Sequence, residues 1–408
     1  MYLWLIPAGI YLIFFVPYLS VIPGNDGGLE FMFANRWYTH DNLMQLLSLH
    51  PPFKLILNSF FYQFFGYWST GWIGLIFGIA GIYAIYLVAQ KLFDRKVALL
   101  SSLLLATSGL YISVGLFGIH DFLITVILLF AFFFYLESRY VLYTIFICIA
   151  VLTKETAIFF ALSIVLSDIF IRKTVKFESF IPLVILAWYI EFLHFSGYHL
   201  WNDWNFSPNP KQGSFMTMVN NIIKLQLFNK YAYENWLHLF VFNFNWVYWI
   251  FALCSFFFLK TKEIKKKLAP IGIYLIVFLI TVLSFQTFTI NRYVLPLLPF
   301  VYILASYTVM KLRFTPFFIT LLLIVSLVSL TNSADPVSNL LWQKTQVLDQ
   351  KIYLNHPLDG DDGITYNMQY LTIMQERTTM LETGNCSFPV LLRYDTQELA
   401  LLHVNSCK

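Results

Sequence analysis

Residues 2–30, YLWLIPAGIYLIFFVPYLSVIPGNDGGLE, decide the fold class. Twenty-one residues without a charge, long enough as a helix to cross about 30 Å of hydrocarbon, run directly into a Gly-rich loop that carries Asp26 and Glu30. The run lacks a basic n-region and a small-residue cleavage site, so it is expected to be a retained membrane helix rather than a removed signal peptide. The acids behind it then lie at a bilayer surface.

The rest of the chain repeats the pattern. Of 408 residues 59% are hydrophobic, 19% aromatic and only 12% charged, against roughly 25% charged in soluble domains. The mean hydropathy is +0.68. This is the composition of an all-α polytopic membrane protein, in which helices satisfy their own backbone. Apolar runs predict about eleven spanning helices, at 2–22, 69–90, 97–117, 122–137, 140–153, 156–171, 179–197, 236–259, 268–288, 293–310 and 314–331. The runs at 122–137 and 140–153 are short for a bilayer and predict a border with a cavity.

Basic residues fix the orientation. They cluster at Lys91, Arg95 and Lys96, at Arg172, Lys173 and Lys176, at Lys260 to Lys267, and at Lys311 with Arg313, while Arg139 stands alone. Read as cytoplasmic loops, these place the N-terminus inside and the C-terminus outside. A multi-pass protein of the cell (plasma) membrane with an extracytoplasmic active face is expected. Basic runs between spanning helices are topology signals, so no nucleic-acid partner is implied.

Three outer regions are long. Residues 23–68 hold Asp26, Glu30, Asp41 and His50-Pro51-Pro52, followed by an aromatic segment, Phe53 to Phe65, that predicts a helix lying at the headgroup level. Residues 198–235 are rich in Trp, Asn and Pro and include Asp203 and Glu234. After Thr331 the composition turns polar, with nine acidic residues between Asp335 and Glu398, and predicts a small outer α/β appendage at 332–408 beside a transmembrane catalytic domain at 1–331. Cys148 and Cys254 fall in apolar runs, whereas Cys386 and Cys407 lie in the tail, where an oxidising compartment would allow a disulfide. Sequons occur at Asn205 and Asn385, no more often than chance supplies them. No Cys/His spacing resembles a zinc site. No strong DxD element in the first loop calls for a divalent metal.

Chemistry concentrates on one side. Gly118-Ile119-His120-Asp121 is a short outer turn, which puts the Asp121 carboxylate at the level expected for Asp26. Two outer carboxylates from distant segments can converge, one taking a hydroxyl proton and the other orienting it; equally, each can cap the helix that follows it. Lys154-Glu155 interrupts an apolar stretch at the same face, where the ammonium can meet a phosphate or simply snorkel to water. Asn291-Arg292-Tyr293 opens another helix; Arg292 offers a planar donor fork for phosphate, or an interfacial anchor together with Tyr293. The acids Asp94, Glu137, Asp168, Glu178 and Glu263 sit among the inner basic clusters and read as ordinary loop charge. Glu191, inside the run 179–197, either faces a cavity or pairs with His194.

In order along residues 1–310, the loop Asp26, "HPPF" leading to Phe65-Gly66, Lys91-Leu92-Phe93-Asp94, Asp121, "LTKE" at 152–155 and "RYVLPLLP" at 292–299 resemble the GT-C membrane glycosyltransferases. The nearest branch is glycosyltransferase family 39, which includes the protein O-mannosyltransferases and, more distantly, the aminoarabinose transferases of lipid A. The resemblance implies transfer of a monosaccharide from a polyprenyl or dolichyl phosphate carrier to a hydroxyl of a glycan, lipid or protein acceptor. It implies inversion, Asp26 as base, Asp121 as the second acid, and Lys154, Arg292 and Tyr293 beside the donor phosphate. Glu30, His50, Glu155 and His120 fall to the surroundings or the acceptor. The sequence departs from the family where relatives read Asp-Glu, since Asp26 is followed by Gly27 and Gly28. A lipid flippase or secondary transporter is the alternative, but the chain shows no internal repeat and its acids gather at one face.

Overall fold

The protein is described here by a computed structural model, which covers residues 2–19, 44, 47, 50–65, 69–116, 118–174, 176–197, 223–224, 236–241, 245–284, 291–331, 351–353 and 387–389. Asp26, Glu30, Asp41, Asp203, Asn205, Glu234, Asn385, Cys386 and Cys407 lie outside the described residues, as does most of the tail. Two short strands of the tail, β1 (Lys351–Tyr353) and β2 (Ser387–Pro389), pair antiparallel.

The described body is helical. It comprises α1 (Leu5–Phe15), α2 (Phe53–Phe65), α3 (Ser69–Leu92), α4 (Arg95–Ala106), α5 (Gly109–Leu116), α6 (His120–Leu136), α7 (Tyr140–Thr153), α8 (Ile158–Ser167), α9 (Ile181–Phe195), α10 (Asn245–Phe258), α11 (Lys262–Ser284), α12 (Leu298–Lys311) and α13 (Thr315–Thr331). The core is built on α3 and α6, with α7 against α6 and α4 joining α3 to the α10–α12 pair. Tyr11 and Tyr111 donate across helices to the carbonyls of Gly74 and Gly78, each at 3.0 Å. Added β-carbons at these two glycines would collide with the backbone of Gly115 and with the Tyr11 ring, so the missing side chains let the helices approach.

Each predicted apolar run holds helix, but among the described residues fewer helices than expected are long enough to cross a bilayer unaided. By length and composition α3 and the stretch Phe177–Phe195 qualify, and α4 with α5 would make a third if taken as one span bent by 54°. The shorter helices of 14 to 17 residues extend about 21–26 Å, less than the hydrocarbon thickness of about 30 Å. Breaks within the apolar runs account for this. The first run ends its α-helix at Phe15 and continues as a 3₁₀ turn over Val16–Tyr18. The run at 97–117 breaks at Thr107-Ser108, where Thr107 Oγ1 meets Ser326 Oγ at 2.8 Å and Tyr302 donates to Ser108 Oγ at 3.2 Å. Neighbouring hydroxyls thus accompany the interrupted helix.

Helix α2 has its faces reversed relative to a soluble helix. Ile56, Phe60 and Phe64 are exposed, while Lys54, Asn58 and Phe61 are buried. Its apolar stripe faces outward, and a polar stripe faces the bundle.

Candidate functional site

The backbone gathers four distant segments at one end of α6. Gly118 takes a positive φ of 58°, open to glycine without strain, and turns the chain from α5 into α6 so that His120 and Asp121 occupy its first turn. Helix α7 stops at Thr153; Lys154 is extended at φ −153° and ψ 130°, and a 3₁₀ turn over Glu155–Ala157 leads into α8. A second 3₁₀ turn, Asn291–Val294, presents Arg292 and Tyr293 ahead of α12. His50 stands before Pro51, which disfavours helical backbone there, and α2 begins at Phe53.

These turns enclose a buried set of charges. Lys154 Nζ donates to Asp121 Oδ1 at 2.7 Å, with the two side chains 6% and 3% exposed. Arg292 Nε lies 4.0 Å from Asp121 Oδ2. That oxygen accepts no hydrogen bond among the described residues. Asp121 makes no side-chain cap for α6, so the carboxylate is directed at the cations rather than at its own helix. Lys154 also lies 4.5 Å from the centre of the Tyr293 ring, and the Arg292 guanidinium 5.5 Å from it.

A second pair adjoins the first. His50 Nδ1 meets Glu155 Oε2 at 3.2 Å, and the His50 ring packs 4.3 Å from that of His120. Burial alone would raise the Glu155 carboxyl, but the charges of His50 and Lys154 outweigh it and hold the group below the ordinary carboxylate range. Burial likewise disfavours the Lys154 ammonium, and Asp121, Tyr293 and Glu155 reverse that effect and hold it above the usual lysine range. Both groups are therefore ionised at neutral pH.

The structure brings together His50, His120, Asp121, Lys154, Glu155, Arg292 and Tyr293 of the predicted site residues. Asp26 and Glu30 fall outside the described residues. Glu191 sits on the exposed side of α9. Lys54, absent from the sequence-based set, is fully buried on α2, and its charge acts on His120 together with those of His50, Lys154 and Arg292. Its signal was its spacing, one helical turn before Asn58 and on the side of α2 opposite Ile56 and Phe60. Among the described residues no group of three or more His, Cys, Asp and Glu is arranged to hold a metal.

By its likeness to solved membrane glycosyltransferases, the helical body has the GT-C fold. The chain belongs to the family described as predicted membrane protein DUF2079, whose model matches residues 28–356. No curated protein matches it. Among solved structures it is similar to ArnT from Cupriavidus metallidurans bound to undecaprenyl phosphate, with a TM-score of 0.55 and 14% identity over 93% of this chain and 72% of that one. The same protein in the apo state gives 0.52 at 14% identity and the same coverage. The oligosaccharyltransferase AglB from Archaeoglobus fulgidus, in complex with an inhibitory peptide and a dolichol-phosphate, gives 0.49 at 14% identity over 90% of this chain and 59% of that one.

Proposed function

We propose that this protein is a glycosyltransferase that moves a monosaccharide from a polyprenyl phosphate carrier to an acceptor hydroxyl at the extracytoplasmic membrane face. The observation that carries the reading is the buried Asp121–Lys154–Arg292 cluster at one end of a GT-C bundle. A phosphate leaving group gains negative charge as its bond to the sugar breaks, and cations fixed beforehand in a water-poor site stabilise that charge most strongly. Asp121 holds Lys154 in place, and Arg292 supplies the donor fork. A carrier with a long apolar chain enters such a site from the bilayer, as the outward apolar stripe of α2 allows.

In this reading Asp26 takes the proton of the acceptor hydroxyl. The hydroxyl oxygen attacks the anomeric carbon as the carbon–phosphate oxygen bond breaks toward the phosphate, with inversion and no covalent enzyme intermediate. The test is Asp26→Asn in nanodiscs, supplied with undecaprenyl phosphate carrying radiolabelled mannose, glucose or arabinose and with host membrane extract as acceptor. Transfer is expected to fall by about 10²-fold or more, as for loss of a general base, while expression and thermal unfolding stay as in the parent. Retained transfer in the variant sinks the role of Asp26.

A further inference from the structure

A second charged cluster lies at the other end of α6, where the transferase reading assigns no role, and what it carries is independent of that reading. The chain leaves α8 through the π turn Asp168–Arg172, and the amides of Lys173 and Thr174 both reach back to the Asp168 carbonyl, the latter at 2.9 Å. Lys173 takes a positive φ of 57° in this turn, a conformation uncommon for a residue with a side chain. The fold-back sets two cations on neighbouring ring faces. The Arg172 guanidinium lies 4.5 Å from the centre of the Tyr135 ring, Lys176 Nζ lies 5.1 Å from that of Tyr140, and the two rings meet edge to face at 6.3 Å. The Asp168 carboxylate beneath them is buried and already accepts from Tyr135 and Ser179, with Arg172 Nε 4.0 Å away, beyond hydrogen-bond reach. Among the described residues none of Arg172, Lys173 and Lys176 donates a side-chain hydrogen bond. Lys91 differs, since Glu137 answers its charge at 2.6 Å.

Apolar surface flanks these cations. Phe170 and Phe177 are 71% and 78% exposed, and most of the stretch Phe177–Phe195 that follows lies open as well. A free phosphate ion would use the cations and leave that surface uncovered; a molecule with an anionic head and hydrocarbon chains covers both. We propose that Arg172, Lys173 and Lys176 form a headgroup site for an anionic glycerophospholipid, its phosphate taking the guanidinium fork and the ammonium groups and its acyl chains lying along Phe170, Phe177 and the open face of α9. The fork suits a phosphate because its planar donors match two oxygens at once. A lipid held there binds the folded bundle and not the unfolded chain, so it stabilises the protein in proportion to the logarithm of its concentration over its Kd.

The experiment titrates the full chain in detergent with dioleoyl phosphatidylglycerol or dioleoyl phosphatidylcholine and reads retained lipid by native mass spectrometry and the midpoint of thermal unfolding. Phosphatidylglycerol is expected to stay bound and to raise the midpoint with concentration, and phosphatidylcholine to do neither. Arg172→Gln combined with Lys176→Gln should weaken phosphatidylglycerol binding more than tenfold. Lys173→Gln, at an exposed position, should weaken it about fivefold, the worth of one basic residue beside anionic lipid, and decides the matter alone if the double variant does not fold. Lys311→Gln with Arg313→Gln removes as much charge from exposed positions elsewhere and should change binding by less than about twofold. An equal loss in that control would reduce the site to a diffuse basic surface and overturn the proposal. So would equal binding of the two lipids, undiminished binding in Lys173→Gln, or the same stabilisation by inorganic phosphate, which would make it an ion site. Because binding is the readout, a protein that transfers no sugar leaves this result standing.

Discussion

A buried aspartate near a basic residue lies at each end of α6, Asp121 in its first turn and Asp168 of the π turn against Tyr135, and the two differ in how they are satisfied. At the far end Tyr135 donates to Asp168 Oδ1, Ser179 lies 3.4 Å from Oδ2, and Arg172 Nε lies 4.0 Å away while stacking 4.5 Å from the Tyr135 ring. Both oxygens are engaged, mainly by residues of α6 and of the π turn Asp168–Arg172 and its neighbours. At the near end Asp121 has one oxygen bonded and one without a hydrogen bond among the described residues. Its cations come from positions 33 and 171 residues away in the chain. Buried polar groups are normally satisfied, so the end with both oxygens engaged has the character of a clamp, and the end with one oxygen left over that of a candidate site.

The sharpest way to break that contrast is at the near end. Asp121→Asn should reduce transfer by about 10²-fold or more, the scale on which electrostatic groups of an active site contribute. It should also cost about 3–5 kcal/mol, because Lys154 is left buried without its carboxylate. Replacing both partners, Asp121→Leu with Lys154→Met, should recover most of that stability, since a buried pair is commonly exchangeable for apolar residues of similar volume. Transfer should stay lost. Thermal unfolding in detergent and the radiolabel assay read the two effects separately; recovered transfer in the double variant would make the cluster structural, like its counterpart.

Asp168→Asn provides the converse. It removes a charge that Tyr135, Ser179 and Arg172 face, and should cost about 1–3 kcal/mol in unfolding experiments. Asp121 and Tyr135 are separated by the length of α6, about 21 Å along its axis, so transfer per folded molecule should stay within about twofold. A tenfold fall in that specific activity would mean that the two ends are coupled.

The site was legible in the sequence to the extent that charge is rare in this chain. Asp121, Lys154 and Arg292 interrupt apolar runs, and an ionisable residue in that setting needs a partner, so each could be picked out alone. The aromatic segment Phe53–Phe65 reads as a helix in the sequence and is one in the structure. Lys54 was missed because a lysine on an amphipathic helix is ordinarily on its water face, and only the packing of α2 reveals that here the polar face is the buried one. Asp168 was read as loop charge among inner basic residues; the structure buries it, since the π turn folds it back under Tyr135. The break at Thr107-Ser108 left no mark either, because Ser and Thr sit in apolar helices by returning their hydroxyls to the backbone as readily as by bending it.

The smallest effect separates bond length from bond energy. Lys91 and Glu137 pair at 2.6 Å, as close as Lys154 and Asp121 at 2.7 Å, but their side chains are 39% and 29% exposed. Water already solvates both groups of the open pair, so Lys91→Ala should cost only about 0–1 kcal/mol and less still in high salt. Lys154→Ala, at nearly the same separation, should cost about 3–5 kcal/mol, because Asp121 would be left as an uncompensated buried charge. Unfolding of the two variants side by side at low and high salt checks the difference. Equal losses would mean that burial does not distinguish the two pairs, and the special standing of the Asp121 end would then rest on its geometry alone.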